Sequence, residues 1–377
     1  MAVEQRAEAP LPTERDPRRD TAYLAIAGGL GANHGMVEIE NAFRSVTGSQ
    51  HVRVFNSEMS MDPVNRERYR QQSEFIKTNI EAGRNVEVVT HSIVDIEASR
   101  DIALILEQDP EFFENSANAS KLTVAINAGA GFEQSKWDQV KFAVNYFRLG
   151  GPRNRAINTA TAFPARNMDA ESFANGVRMV FDKRRPTDIP VIPFEPQDDR
   201  YAHLDQDKST LLDRIDAKLK KNIDKGRRWR ARRNLRQRGK LLKGELQDVF
   251  DGKHVEGNVV DAPPVSFPHL VGRPEVRSLL QDMHSDILYT TVGYLISKGV
   301  NVKLFGFEHD MATTEKSMRR FVEQTASDTN RGEIAIIEML GHSGLVLQPR
   351  YWVDAVTKHN VTDLAQMRRG LTQRDAA

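Results

Sequence analysis

Three short stretches of this 377-residue chain put proton-carrying side chains where a run of apolar residues stops. In Val86 to Asp95, VEVVTHSIVD, a strand-like run ends on His91-Ser92 and leads into a helical pattern. A serine on such a turn presents its hydroxyl at the carboxyl end of a sheet, where ligands bind in open α/β folds. The plainer reading is that Thr90 and Ser92 cap the next helix. In Asn301 to Asp310, NVKLFGFEHD, the carboxylates Glu308 and Asp310 follow a second apolar run, and Gly341-His342-Ser343-Gly344 follows a third. Taken singly, Asp310 reads as a helix cap and His342 as a loop residue bonded to backbone. Taken together, a hydroxyl, an imidazole and a carboxylate at three strand ends are the parts of a base-activated nucleophile.

A fourth stretch, Ala27 to Gly35, AGGLGANHG, follows the first strand and precedes a helix. Its glycines let backbone amides approach a ligand closely. A dinucleotide loop is one reading, but G-x-G-x-x-G begun at Gly29 needs glycine where His34 stands, and the second strand ends in Phe55-Asn56 without the ribose-binding acid. The other readings are an oxyanion site built on the Leu30 amide, and a tight turn without function.

The elements that must position these residues alternate regularly. From Ala22 to about Gly150, the runs YLAIA, HVRVF, VEVVT and LTVAINA are each followed by a helical pattern: from about Met36, across Asn65 to Ala82, in IEASRDIALIL and in WDQVKFAVNYF. This rhythm predicts a mostly parallel sheet covered by helices. Between Gly151 and Pro274 it breaks into Pro-rich connections and a basic helical stretch, which reads as an insertion without a parallel strand. It resumes with a helix near Arg277 to Lys298, the strands NVKLFGF and EIAIIEM, a helix after Thr314 between them, and a closing helix around Tyr351 to Val356. The expected division is a disordered tail over 1–20, a core over 21–150 and 275–365, an insertion over 151–274 and a tail over 366–377.

Composition narrows the chemistry. The chain has no cysteine, which excludes disulfides, thiolate metal sites and cysteine nucleophiles. Ten histidines include no HExxH or comparable ligand spacing, so neither a metal nor another cofactor is expected. No run approaches the roughly 18 apolar residues of a membrane span, and no signal-peptide pattern opens the chain, so a soluble, cytoplasmic protein is expected. The net charge of +1 hides segregation, because Lys218 to Lys243 holds 13 Lys or Arg against the single acid Asp224. That density predicts an exposed segment dispensable for folding.

The order Ser92, Asp310, His342, with a glycine turn after the first strand, resembles the α/β-hydrolase superfamily over roughly 21–150 and 275–357. The family's G-x-S-x-G is matched by Thr90-His91-Ser92-Ile93-Val94, with both glycines replaced. The resemblance implies an α/β-hydrolase-like sheet with a helical cap at 151–274. It also implies an esterase- or lipase-like enzyme acting on a small-molecule acyl substrate. It gives Ser92 as nucleophile, His342 as base, Asp310 as orienting acid with Glu308 in reserve, and the Leu30 and Ile93 amides as oxyanion donors. A second class stays open: an inactive hydrolase-like module. In either case the arm from Lys218 to Lys243 could bind an anionic membrane surface or nucleic acid.

Overall fold

A computed structural model describes residues 16–27, 32–55, 66–92, 94–114, 116–128, 152–184, 189–196, 204–245, 287–310, 315–318, 321, 333–341 and 344–374. Its centre is a seven-stranded sheet of β1 (Thr21–Ala27), β2 (Val52–Phe55), β3 (Asn85–His91), β4 (Leu122–Asn127), β5 (Val191–Ile192), β6 (Asn301–Phe307) and β7 (Glu333–Ile337). The strands lie in the order β2-β1-β3-β4-β6-β7-β5, and every pairing is parallel. The central strands are largely apolar on both faces, as burial between two helical layers requires, with Glu87 of β3 and Lys303 of β6 buried as an ion pair.

Alternate residues of each strand face opposite layers. Tyr23, Ala25, Val89, Ala125, Phe305 and Ile337 join one core with helices α1 (Ala32–Thr47) and α9 (Pro349–Lys358), where Phe43 meets the edge of Trp352 at 5.9 Å between ring centroids. Leu24, Val88, Val124, Leu304 and Ile336 join the other core with α2 (Arg66–Glu81), α3 (Val94–Gln108) and α8 (Ile287–Ser297). The alternation of strand and helix in the sequence is thus the alternation of sheet and layers, and the helix expected in WDQVKFAVNYF lies outside the described residues.

Three expectations change. Within the 1–20 tail, Asp16 caps a short 3-10 helix, Pro17–Asp20, and Arg18 reaches Asp354 of α9 at 2.8 Å, so the end of that tail is structured by an ion pair to the core. The 366–377 tail is helical to Arg374, because α10 (Val361–Arg374) begins with a reciprocal cap, Asn360 and Asp363 each accepting the other's backbone N–H, and seats Leu364 in the core. The 151–274 segment supplies β5, whose two residues pair with Ile336 and Ile337. Its length and flanking prolines hide it from any strand pattern.

The same segment holds α4 (Pro152–Ala162), α5 (Ala170–Phe181), α6 (Gln206–Asp224) and α7 (Arg228–Glu245). Phe173, Leu219, Ala231 and Leu235 enter the α1/α9 core. Gly239 of α7 lies so close to α4 that an added Cβ would fall 1.6 Å from the Ala156 carbonyl oxygen. Arg238 is buried, with its Nε on Asp216 at 2.7 Å and its remaining donors on the carbonyls of Ala160, Phe163 and Pro164. The basic stretch is therefore built into the fold on one side, contrary to the expectation that it is exposed and dispensable. Its arginines belong to a helix whose other face is apolar.

Candidate active site

The chain runs from β1 outward to β2, then returns past β1 to β3 and onward to β4, so the direction of winding reverses between β1 and β3. Ligands of open α/β sheets bind outside the carboxyl ends of the strands at such a reversal. Ser92 stands there, one residue beyond β3. Its φ is +65°, a left-handed conformation that costs a non-glycine residue about 1–3 kcal/mol and persists only where surroundings enforce it. Here the enforcement is visible: the Ser92 N–H donates to the Asn127 carbonyl at 2.9 Å, and the Asp95 N–H donates to the Ser92 carbonyl at 3.2 Å, opening α3. Thr90 and Val94, where the family pattern has glycine, are both buried without unwinding the turn. Ser92 itself is buried, with no exposed surface.

The turn is braced from two further sides. Asn127, at the end of β4, donates to the Thr90 carbonyl at 3.0 Å and accepts from the Trp352 indole at 3.2 Å, linking β3 to α9. Beneath Ser92, the Asp95 carboxyl is fully buried near the Thr90 hydroxyl, with no well-formed hydrogen bond to either oxygen; burial pushes its pKa well above the ordinary carboxylate value, and Thr90 only partly opposes this.

Asp310 lies in the turn after β6, nearly buried, its N–H on the Phe307 carbonyl at 3.0 Å. Since neighbouring strands are about 4.8 Å apart, the ends of β3 and β6, separated only by β4, are roughly 10 Å apart. The loop running toward His342 leaves β7, the next strand over. The two loops are stitched together: the His309 N–H donates to the Leu340 carbonyl at 2.8 Å and the Glu308 N–H to the Ile337 carbonyl at 3.0 Å. Ala128 and Met339, at the ends of β4 and β7, share positive φ with Ser92, so three left-handed non-glycine residues gather at one sheet edge. His342, Leu30 and Ile93 lie outside the described residues, as does the turn holding Gly28. The residue before that turn, Ala27, pairs directly with His91, so the chain leaves β1 beside Ser92.

Glu308 is committed elsewhere. Arg178, from α5, donates through Nε to Glu308 Oε1 at 2.5 Å and through Nη2 to Glu338 Oε1 at 2.6 Å. Glu308 Oε2 also accepts from the Met339 N–H at 3.0 Å, Glu338 Oε2 accepts from the Phe194 N–H at 2.9 Å, and Lys183 bonds the Glu308 carbonyl. Burial pushes Glu308 up, but His309, Arg178 and the Met339 amide more than offset it and leave the carboxyl below its ordinary value. Adjacent His309 is buried and pushed down to about 3, by desolvation first and by the Lys183 charge second. This cluster ties α5 and the start of β5's exit to the loops after β6 and β7. Arg178 and Glu338 carry no motif that would have marked them in the sequence; they meet only through the topology.

No known protein family and no curated protein sequence matches the chain. Among solved structures it is similar to a bacterial membrane phospholipase A described as a virulence factor, at 14% identity over 93% of this chain and 80% of that one, TM-score 0.36. It is also similar to a carboxylesterase of the ammonia-oxidizing thaumarchaeon Nitrososphaera gargenis, at 12% identity over 93% and 92%, TM-score 0.34. A third is an esterase from Aspergillus oryzae, at 10% identity over 85% and 67%, TM-score 0.31. A parallel sheet that reverses at β1/β3, a left-handed serine at that reversal and two stitched loops farther along the same edge give the chain an open, doubly wound α/β fold with its polar strand ends gathered on one side.

Proposed function

We propose that the chain is a serine hydrolase that cleaves a carboxylic ester, thioester or amide through an acyl-enzyme. The observation that carries this reading is Ser92 itself, held at φ +65° on the strand-to-helix turn beside the winding reversal. In the proposed reaction the Ser92 oxygen attacks the acyl carbonyl as its proton passes to His342. The carbon–heteroatom bond then breaks, and the leaving group takes that proton. Water, deprotonated by the same imidazole, attacks the acyl-enzyme; the bond to the Ser92 oxygen breaks, that oxygen takes the proton back from His342, and the acid is released. Asp310 orients the imidazole and stabilises its charged form. The Leu30 and Ile93 amides hold the oxyanion, a contribution worth about 3–4 kcal/mol per donor elsewhere. The 151–274 segment would cover the site and select the acyl group.

One observation favours a second reading, an inactive hydrolase-like module: Ser92 has no solvent-exposed surface. Fluorophosphonate labelling separates the two, since only an activated serine reacts. Hydrolysis of p-nitrophenyl esters by wild type, Ser92→Ala, His342→Ala and the double variant gives the finer test. The single losses are expected to be similar and not to add, because the pair acts as one unit. Full activity in Ser92→Ala ends the assignment, and inert wild type across acyl lengths favours the module.

A further inference from the structure

The α6–α7 hairpin has a fixed inner side and a distinctive outer one. Inside, Leu212 and Leu219 of α6 and Ala231, Leu235 and Leu242 of α7 are buried, and Gly176 of α5 admits Ile223 where a Cβ would lie 2.6 Å from its methyl. Those contacts set which residues face outward. On α6 they are Leu211, Arg214, Lys218 and Lys221, continued by Lys225 at its C-terminal cap, all exposed at helical spacing; on α7 they are Arg230, Arg233, Gln237 and Lys240, exposed at the same spacing. Trp229, beside the hairpin tip, is 74% exposed, and Leu211 is 47% exposed. Of the three exposed large hydrophobic side chains among the described residues, Leu211 thus stands within the α6 stripe and Trp229 next to Arg230, where the α7 stripe begins. The acids cancel them only in part: Asp216 is taken by Arg238, Asp224 pairs with Lys220, Asp213 with Arg166 and Asp205 with Lys208, while exposed Asp207 stands one turn before Leu211, at the end of α6 away from the tip.

We infer that this hairpin docks the protein on an anionic lipid surface. The charge selects a polyanion, and the apolar members decide which one. An indole and a leucine gain free energy by entering the headgroup boundary, where basic side chains remain in contact with phosphates. A nucleic acid would use the indole by stacking, but it offers Leu211 nothing, and two convex helix faces do not form a groove that follows a strand. Tight docking needs both parts, since charge alone is screened and so few apolar groups alone are too weak. The inference is independent of catalysis at Ser92.

The test is co-sedimentation of the full chain with phosphatidylcholine vesicles, with and without phosphatidylglycerol. The expected result is partitioning onto the anionic vesicles alone, falling steeply between about 50 and 200 mM salt. A triple variant, Lys221→Gln, Arg230→Gln and Arg233→Gln, should bind about a hundredfold more weakly with an unchanged unfolding midpoint, because its side chains are exposed. Trp229→Ala provides an independent arm and should lose most of the blue shift in tryptophan emission that vesicles cause. Absence of binding to anionic vesicles at low salt overturns the inference. So do equal binding to neutral vesicles, full binding by both variants, or tighter binding to a duplex or single-stranded oligonucleotide than to vesicles at the same salt.

Discussion

At Ser92 the backbone and the side chain pull in different directions. The left-handed conformation costs stability that the hydroxyl's task would justify, so Ser92→Gly, which relieves the strain, should be about 1 kcal/mol more stable than Ser92→Ala while both lose esterase activity. Urea unfolding of the two variants checks this. A second contrast concerns the acid. Asp310→Ala should lower kcat by about 10⁴ with modest loss of stability, whereas Glu308→Ala should cost about 3 kcal/mol by leaving the buried Arg178 with half its partners. A larger kcat loss for Glu308→Ala would reverse the roles. Ser92 was legible in the sequence because VEVVT is an unmistakable strand and a polar pair stops it. The preference for Asp310 over Glu308 rested in the sequence on side-chain length alone, and the engagement of both Glu308 oxygens, which favours the same choice, was not readable there.

At the scale of elements, the basic helix α7 shows what a charge run conceals. Thirteen cationic residues in one window read as a solvated arm, and composition cannot say which arginine turns inward. Arg238 does, because three carbonyls and Asp216 satisfy it there, and the next residue is the glycine that lets α4 and α7 touch. Gly239→Ala should therefore destabilise the protein by about 3 kcal/mol, the upper range for overpacking, measured by thermal or urea unfolding. A neutral outcome would mean the helices separate freely. The strand β5 was illegible for a different reason: Val191 and Ile192 sit between prolines, and only β7 beside them makes a strand of two residues.

For the whole molecule, the alternation of apolar runs with helical patterns was enough to read the parallel sheet, since both strand faces must be apolar when helices cover both. The ion pairs that lock its edge were not readable, because Arg178 meets Glu308 and Glu338 across 130 and 160 residues of chain. They shape the response to pH. Between about 6.5 and 3 the unfolded chain takes up a proton on His309 that the folded one refuses, so stability falls as pH drops through that window. The lowered carboxyl of Glu308 acts in the same direction below its ordinary value. Asp95 acts oppositely: folded, it keeps a proton that the unfolded chain releases above 3.8, so its contribution declines as pH rises. His309→Gln should flatten the acid limb of an unfolding-midpoint profile and Asp95→Asn the alkaline limb; an unaltered profile in both would refute this account. The strand order carries a last consequence, for the ribosome. The edge of β4 is completed only by β6, about 170 residues downstream. At roughly 5–20 residues per second, a nascent chain carries that apolar edge unpaired for about 10–35 s, the interval in which a chaperone would have to shield it.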